Sequence, residues 1–141
     1  MSRIYWDSML FIYWLDDNPL FAKRVASIHT RMRERKDELI TSAVTLGEVL
    51  AGGYRKGPAS RVDEIRTALL SLLAEVVPFT VETADHYARI RGSTNVASAD
   101  AIHLACAASA NTDLFLTNDK NLVGKFVPGI QFIASLDTQL F

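Results

Sequence analysis

Short apolar runs alternate along the chain with longer stretches in which apolar residues recur every three or four positions. Ile4-Tyr5-Trp6 is β-branched and aromatic and predicts a strand, after which Asp7-Ser8 offers capping chemistry for a helix over Met9 to Leu15. Asn18-Pro19 marks a new helix start, and the stretch from Leu20 to about Lys36 sets apolar residues at helical spacing among many charges. Leu39-Ile40-Thr41 predicts a second strand, Thr45 to Ala51 a helix, and Gly52-Gly53 its stop. Val62, Ile65, Leu69, Leu72 and Leu73 describe one face of an amphipathic helix from Ser60 to Ala74. Val76 to Phe79 predicts a third strand weakened by Pro78, followed by a helix from about Val81 to Arg91. An alanine-rich helix from Ser98 to Ala110, with Ser98 as its cap, precedes a fourth strand over Leu114 to Thr117. Ile130 to Ile133 is a fifth.

Strands that alternate with helices and are nearly all apolar are those of a parallel sheet covered on both faces. The expected architecture is therefore α/β and three-layered, with a central parallel sheet of about four to five strands flanked by helices. A length of 141 residues suits one domain, taken as 1–141, and no repeat, low-complexity tract or linker divides it.

Composition narrows the possibilities. Hydrophobic residues at 49% and charged residues at 22% describe a folding chain rather than a disordered one. A net charge of -1 excludes a whole-molecule basic field, so any nucleic-acid site must be local. The basic stretches are Arg31, Arg33, Arg35 and Lys36, then Arg55 and Lys56, then Arg89 and Arg91; a solvated helix face or loop accounts for each better than a phosphate track does. The single Cys106, in an apolar run, reads as a small buried hydrophobe, and the lack of a disulfide framework points to the cytoplasm. Met9 to Leu15 is too short to span a bilayer, which takes roughly 20 residues, and Asp16-Asp17 stands where a signal peptide would need small residues.

Among 16 carboxylates, four stand apart from solvated charge runs. Asp7 and Asp119 each follow a predicted strand, Glu48 interrupts the apolar stretch Val44 to Leu50, and Asp100 opens an apolar helix. Ligands of open α/β sheets bind beyond the carboxyl ends of the strands, where Asp7 and Asp119 must lie. Each also has a plainer reading: Asp7 as a helix cap, Asp100 as a charge at the positive end of its helix, Asp119 as a turn residue. Glu48 is the hardest to explain without a polar site. Carboxylates gathered in one place repel, at about 4 kcal/mol for a pair 4 Å apart under an effective dielectric near 20, and so call for cations. Oxygen-only ligands select hard ions such as Mg²⁺ or Mn²⁺, and the chemistry such ions serve is phosphodiester hydrolysis.

The segments Ile4-Tyr5-Trp6-Asp7-Ser8, Thr45-Leu46-Gly47-Glu48-Val49, Ser98-Ala99-Asp100-Ala101-Ile102-His103-Leu104-Ala105 and Leu116-Thr117-Asn118-Asp119 resemble the successive acidic motifs of PIN-domain nucleases. In length the chain looks most like the VapC-type toxins of toxin–antitoxin pairs. The resemblance implies Mg²⁺- or Mn²⁺-dependent cleavage of RNA, homodimerisation, and inhibition by a small cognate antitoxin through a helix. Carried over, it makes Asp7, Glu48, Asp100 and Asp119 the acidic, metal-holding site, with Thr117 a polar companion. His103, one helical turn from Asp100, either touches the site or substrate or is a hydrogen-bonded packing residue. The apolar helix Met9 to Leu15 is expected to leave a side uncovered for a partner. Two other classes compete: a non-catalytic PIN-like module that binds RNA or protein, and a phosphoryl-accepting receiver domain. The latter would want an adjacent acidic pair after the first strand, where Ser8-Met9 stand instead.

Overall fold

In the computed structural model, which describes residues 1–139, the chain runs β1 (Arg3–Trp6), α1 (Ser8–Leu15), α2 (Ala22–Arg35), β2 (Glu38–Ser42), α3 (Ala43–Lys56), α4 (Ala59–Leu72), β3 (Glu75–Val77), α5 (Val81–Ser93), α6 (Ser98–Ser109), β4 (Thr112–Thr117) and β5 (Ile130–Ser135). The expected domain limits of 1–141 extend two residues beyond those described. All strand pairs are parallel, in the order β3-β2-β1-β4-β5.

Successive strand residues point to opposite faces, and both faces are covered. Tyr5, Ile40 and Phe115 join the core under α5 and α6, with the Tyr5 and Phe115 rings stacked 5.1 Å apart. Ile4, Trp6, Leu39 and Leu116 face the other core, under α1 to α4. The alternation within β1, β2 and β4 makes the three layers that the apolar runs predict. At the amino edge of the sheet the Arg3 guanidinium donates to Glu38, Glu75 and the Ala110 carbonyl, tying β1 to β2 and β3 far from the carboxyl ends.

Several local expectations are corrected. Gly52-Gly53 does not stop its helix, which continues to Lys56. A Cβ on Gly53 would lie 3.3 Å from both Val62 and Ile65, so this glycine lets α3 and α4 approach closely. Ser98 is not a cap: Ala97 occupies that position without a side-chain bond, and the Ser98 hydroxyl meets Tyr87 instead. The third strand ends at Val77, since Pro78 has no N–H to extend it. Asn18 accepts from the backbone of Leu20 and Phe21 as a turn, delaying α2 to Ala22.

The uncovered side of α1 is narrower than expected, reduced mainly to Met9 and to Ile12 and Leu15 on a groove beside α3 and α4. Leu10 and Phe11 are buried, Trp14 packs on His29 of α2 at 5.0 Å and Tyr13 on Phe21 at 4.7 Å. The long helix that follows folds back over α1, so Phe11 belongs to the core and only Met9 stands well exposed. Among the described residues no helix is long and apolar enough to cross a membrane.

Candidate functional site

The strand order puts β1 in the centre, with β2 on one side and β4 on the other. The residues leaving the carboxyl ends of β1 and β4 therefore face one crevice, as expected where a sheet switches direction. A cleft of about 280 Å³ opens there, lined by Asp7, Glu48, Asp100, His103, Asn118 and Asp119, with Tyr13 at its side. The topology thus brings together four acidic residues that are as far as 112 positions apart in the chain, counting from Asp7 to Asp119.

Asp7 both caps a helix and faces the cleft, because a carboxylate has two oxygens. Its Oδ1 accepts from the Met9 N–H at 3.1 Å and so starts α1; its Oδ2 accepts from the Thr117 hydroxyl at 2.5 Å. Thr117 is fully buried at the end of β4, and its Oγ1 also accepts from the Asp119 N–H at 3.0 Å. One hydroxyl thereby spaces two acidic residues. Asp119 turns its Oδ1 to the Asn121 N–H at 2.9 Å, so the turn reading also holds for it. Asn118 reaches sideways, its Nδ2 donating to the Tyr13 hydroxyl at 3.0 Å.

Asp100 sits in the first turn of α6, where the helix dipole favours its charge. Glu48 projects from the middle of α3, and its Oε1 lies 2.7 Å from His103 Nε2. The imidazole is 6% exposed and meets the Tyr5 hydroxyl at 2.9 Å and the Thr45 hydroxyl at 3.2 Å through Nδ1. Both readings of His103 therefore meet in one residue, which is a buried packing histidine with one edge on the site. Tyr5, Ser42 and Thr45 were not singled out from the sequence. A tyrosine inside an apolar strand, whose hydroxyl must find a partner once buried, was the available signal.

Two of the four acids are shifted by their surroundings. Burial holds the Asp7 carboxyl above the usual range, partly offset by the Thr117 bond and by His103, with the Asp100 charge adding to the rise. Asp100 is raised too, first by burial and then by the neighbouring Asp119, with a smaller contribution from Glu48. Asp7 and Asp100 thus experience neighbouring acids, and positive charge in the cleft would relieve both. Among the described residues no group of three or more His, Cys, Asp or Glu side chains is gathered as a ready-made ion site. The donor set nevertheless suits a hard cation, being carboxylate oxygens with the Thr117 hydroxyl beside them and no thiolate, in a cleft where desolvation already disfavours unneutralised charge.

Of the basic stretches, Arg55 and Lys56 line a second groove of about 270 Å³ between α1, α3 and α4, which shares Glu48 with the acidic cleft. Arg31 and Arg89 make ion pairs within their own helices, with Glu34 and Asp85.

The family model for the PIN domain matches residues 4–124. No curated protein sequence matches the chain. Among solved structures it is similar to VapBC2 from Rickettsia felis bound to a fragment of its promoter DNA, at 14% identity and a TM-score of 0.74 over 94% of this chain and 98% of that one. It is similar to a toxin–antitoxin complex from Klebsiella pneumoniae, at 18% identity and a TM-score of 0.65 over 90% of this chain and 94% of that one. A third is VapBC-5 from Mycobacterium tuberculosis, a member of the VapBC family of toxin–antitoxin systems, at 24% identity and a TM-score of 0.56 over 94% and 98%.

Proposed function

Since the chain belongs to the PIN domain family, we propose that it is a metal-dependent endoribonuclease that hydrolyses phosphodiester bonds of RNA in the cleft between the ends of β1 and β4. The observation that carries this reading is the convergence of Asp7, Glu48, Asp100 and Asp119 on one cleft, with Asp7 held above its usual range by burial and the Asp100 charge and Asp100 by burial and Asp119.

Asp7, Asp100, Asp119 and Glu48 would hold Mg²⁺, or Mn²⁺ in its place. When bound, such an ion supplies positive charge against the phosphate and a lowered pKa for water. The chain's own part is to orient. Thr117 fixes the rotamer of Asp7 and the backbone of Asp119 with a single hydroxyl, while α6 aims Asp100 from its first turn. Tyr13 and Asn118, bonded to each other at the side of the cleft, offer polar groups to a nucleotide without competing for the cation.

The same reading makes the protein the toxin of a type II toxin–antitoxin pair, acting in the cytoplasm as a homodimer. Its support is the likeness of fold to toxin–antitoxin complexes. A small cognate antitoxin would inhibit it through a helix. The groove floored by Ile12, Leu15, Val49 and Ile65, which runs up to Glu48, has the apolar lining such a helix needs.

Purified protein incubated with structured and single-stranded RNA tests the proposal. Cleavage should appear with Mg²⁺ or Mn²⁺, stop on chelation, and be lost in Asp7→Asn and Asp100→Asn proteins that still melt cooperatively. Cleavage by a folded Asp7→Asn protein at the wild-type rate would overturn it.

A further inference from the structure

Glu48 is the odd member of the quartet. Asp7, Asp100 and Asp119 leave the backbone at strand ends or in a first helical turn on short side chains, but Glu48 stands in the middle of α3 with a long one. Its side chain is 44% exposed, and among the described residues its only hydrogen bond is with His103 Nε2. A glutamate so placed has several rotamers open to it, and one contact decides which is populated.

That contact comes from a rigid body. His103 lies in α6 with a side chain only 7% exposed, and Nδ1 faces the hydroxyls of Tyr5 and Thr45, of which Thr45 has the proton to give it, since Tyr5 donates to Ser42 and Ser42 to Thr45. A carboxylate accepts but cannot donate, so Nε2 carries the ring proton toward Glu48, and in the neutral ring Nδ1 accepts from a hydroxyl behind it. The network behind the ring also reaches the helix that bears Glu48: Ser42 caps α3 by accepting from the Thr45 N–H at 3.1 Å. Packing alone does not require an imidazole here. The Tyr5 hydroxyl donates to Ser42 at 2.9 Å and Ser42 to Thr45 at 3.4 Å, and without the ring Thr45 can donate back to Tyr5 at 3.4 Å, so these buried groups can satisfy one another. A leucine could fill the space. The one bond that needs a histidine is the one that leaves the core and ends on Glu48.

We propose that His103 is a positioning residue that sets the Glu48 carboxylate for cation binding in the acidic cleft, relaying the hold of the Tyr5–Ser42–Thr45 network to the one glutamate of the site. The inference rests on the proposed cation-dependent reading of that cleft. Outer-shell partners of ligating carboxylates, when removed, typically weaken metal affinity or activity by about 10–100-fold, which is the effect expected here.

A double-mutant cycle on the whole chain tests it, reading Mn²⁺ binding from the paramagnetic resonance of free Mn²⁺ without RNA. His103→Leu should weaken Mn²⁺ binding within about 10–100-fold of wild type. His103→Gln, whose Nε2 can still donate to Glu48, should recover most of the loss. In a Glu48→Gln background the His103→Leu change should add nothing further, because its partner is already gone. A purely structural histidine would weaken binding by the same factor in both backgrounds, and that result overturns the proposal, as does unchanged binding by His103→Leu. If His103→Leu fails to melt cooperatively, His103→Gln and Thr45→Val carry the test. Thr45→Val, which removes the hydroxyl that donates to Nδ1, should weaken Mn²⁺ binding, and no change in it overturns the proposal. Imidazole ¹⁵N shifts of the metal-free protein should show Nε2 protonated in wild type and altered by Glu48→Gln. Should wild type bind no Mn²⁺, the cation reading of the cleft falls and this inference with it; ¹⁵N shifts that still report the His103–Glu48 bond would identify that case.

Discussion

Replacing Thr117 by valine keeps the shape of a fully buried side chain and removes one hydroxyl, so its consequences can be worked out bond by bond. The hydroxyl donates to Asp7 Oδ2 at 2.5 Å and accepts from the Asp119 N–H at 3.0 Å. A hydrogen bond to a charged group contributes about 1.5–3 kcal/mol, and a backbone N–H left without a partner costs about 1–3 kcal/mol. Asp119 is only partly buried, so water can reach its N–H and the lower end applies there. The variant should therefore lose about 2–4 kcal/mol at neutral pH. Thr117→Ser keeps both bonds and loses one buried methyl, which amounts to about 1 kcal/mol. Urea unfolding of the metal-free proteins separates the two, with valine clearly below serine and serine just below wild type. The Thr117 bond also holds down the Asp7 pKa that burial raises, so without it Asp7 rises further. The valine defect should then narrow as the pH falls through the carboxylate range and Asp7 becomes protonated in both proteins. Cleavage and Mn²⁺ binding should fall with the valine variant and persist with serine, because Asp7 and Asp119 lose their common support. A valine variant as stable as serine at pH 7, or equally active, would show that the hydroxyl does not organise the site.

Asp7→Asn keeps the cap on α1, since asparagine accepts from the Met9 N–H as aspartate does, while removing a carboxylate whose pKa is raised in the fold. A raised pKa contributes stability at low pH that is lost as pH rises through it, so metal-free Asp7→Asn should exceed wild type at pH 7, and the gain should vanish below about pH 4. A constant difference across that range, measured by urea midpoints, would contradict the burial of this charge. RNA fragments should carry 5′-phosphate and 3′-hydroxyl ends, and end-group analysis finding 2′,3′-cyclic phosphates would remove the hydrolytic reading. Gly52→Ala meets open space in mid-helix and should stabilise by about 1 kcal/mol. Gly53→Val crowds Val62 and Ile65 and should cost about 1–3 kcal/mol. Equal melting temperatures for the two variants would refute the close approach of α3 and α4.

Local pattern was enough to read the order of the strands and helices, the parallel sheet with two covered faces, and the acids at Asp7 and Asp119 as residues leaving strand ends. Burial repeats with the period of each element, and caps and stops are chemistry between near neighbours; both are written along the chain. The contacts that organise the cleft are written across it. That Thr117 stands between Asp7 and Asp119 depends on β4 pairing with β1, and that His103 meets Glu48 depends on α6 lying against the N-terminal half of α3. Gly53 reads as a helix stop until α4 is seen against it, and Met9 to Leu15 reads as an exposed apolar helix until α2 folds over it. In each case the residue's role is set by a partner on another element, and the order β3-β2-β1-β4-β5, with the helices laid on its two faces, decides which partners meet.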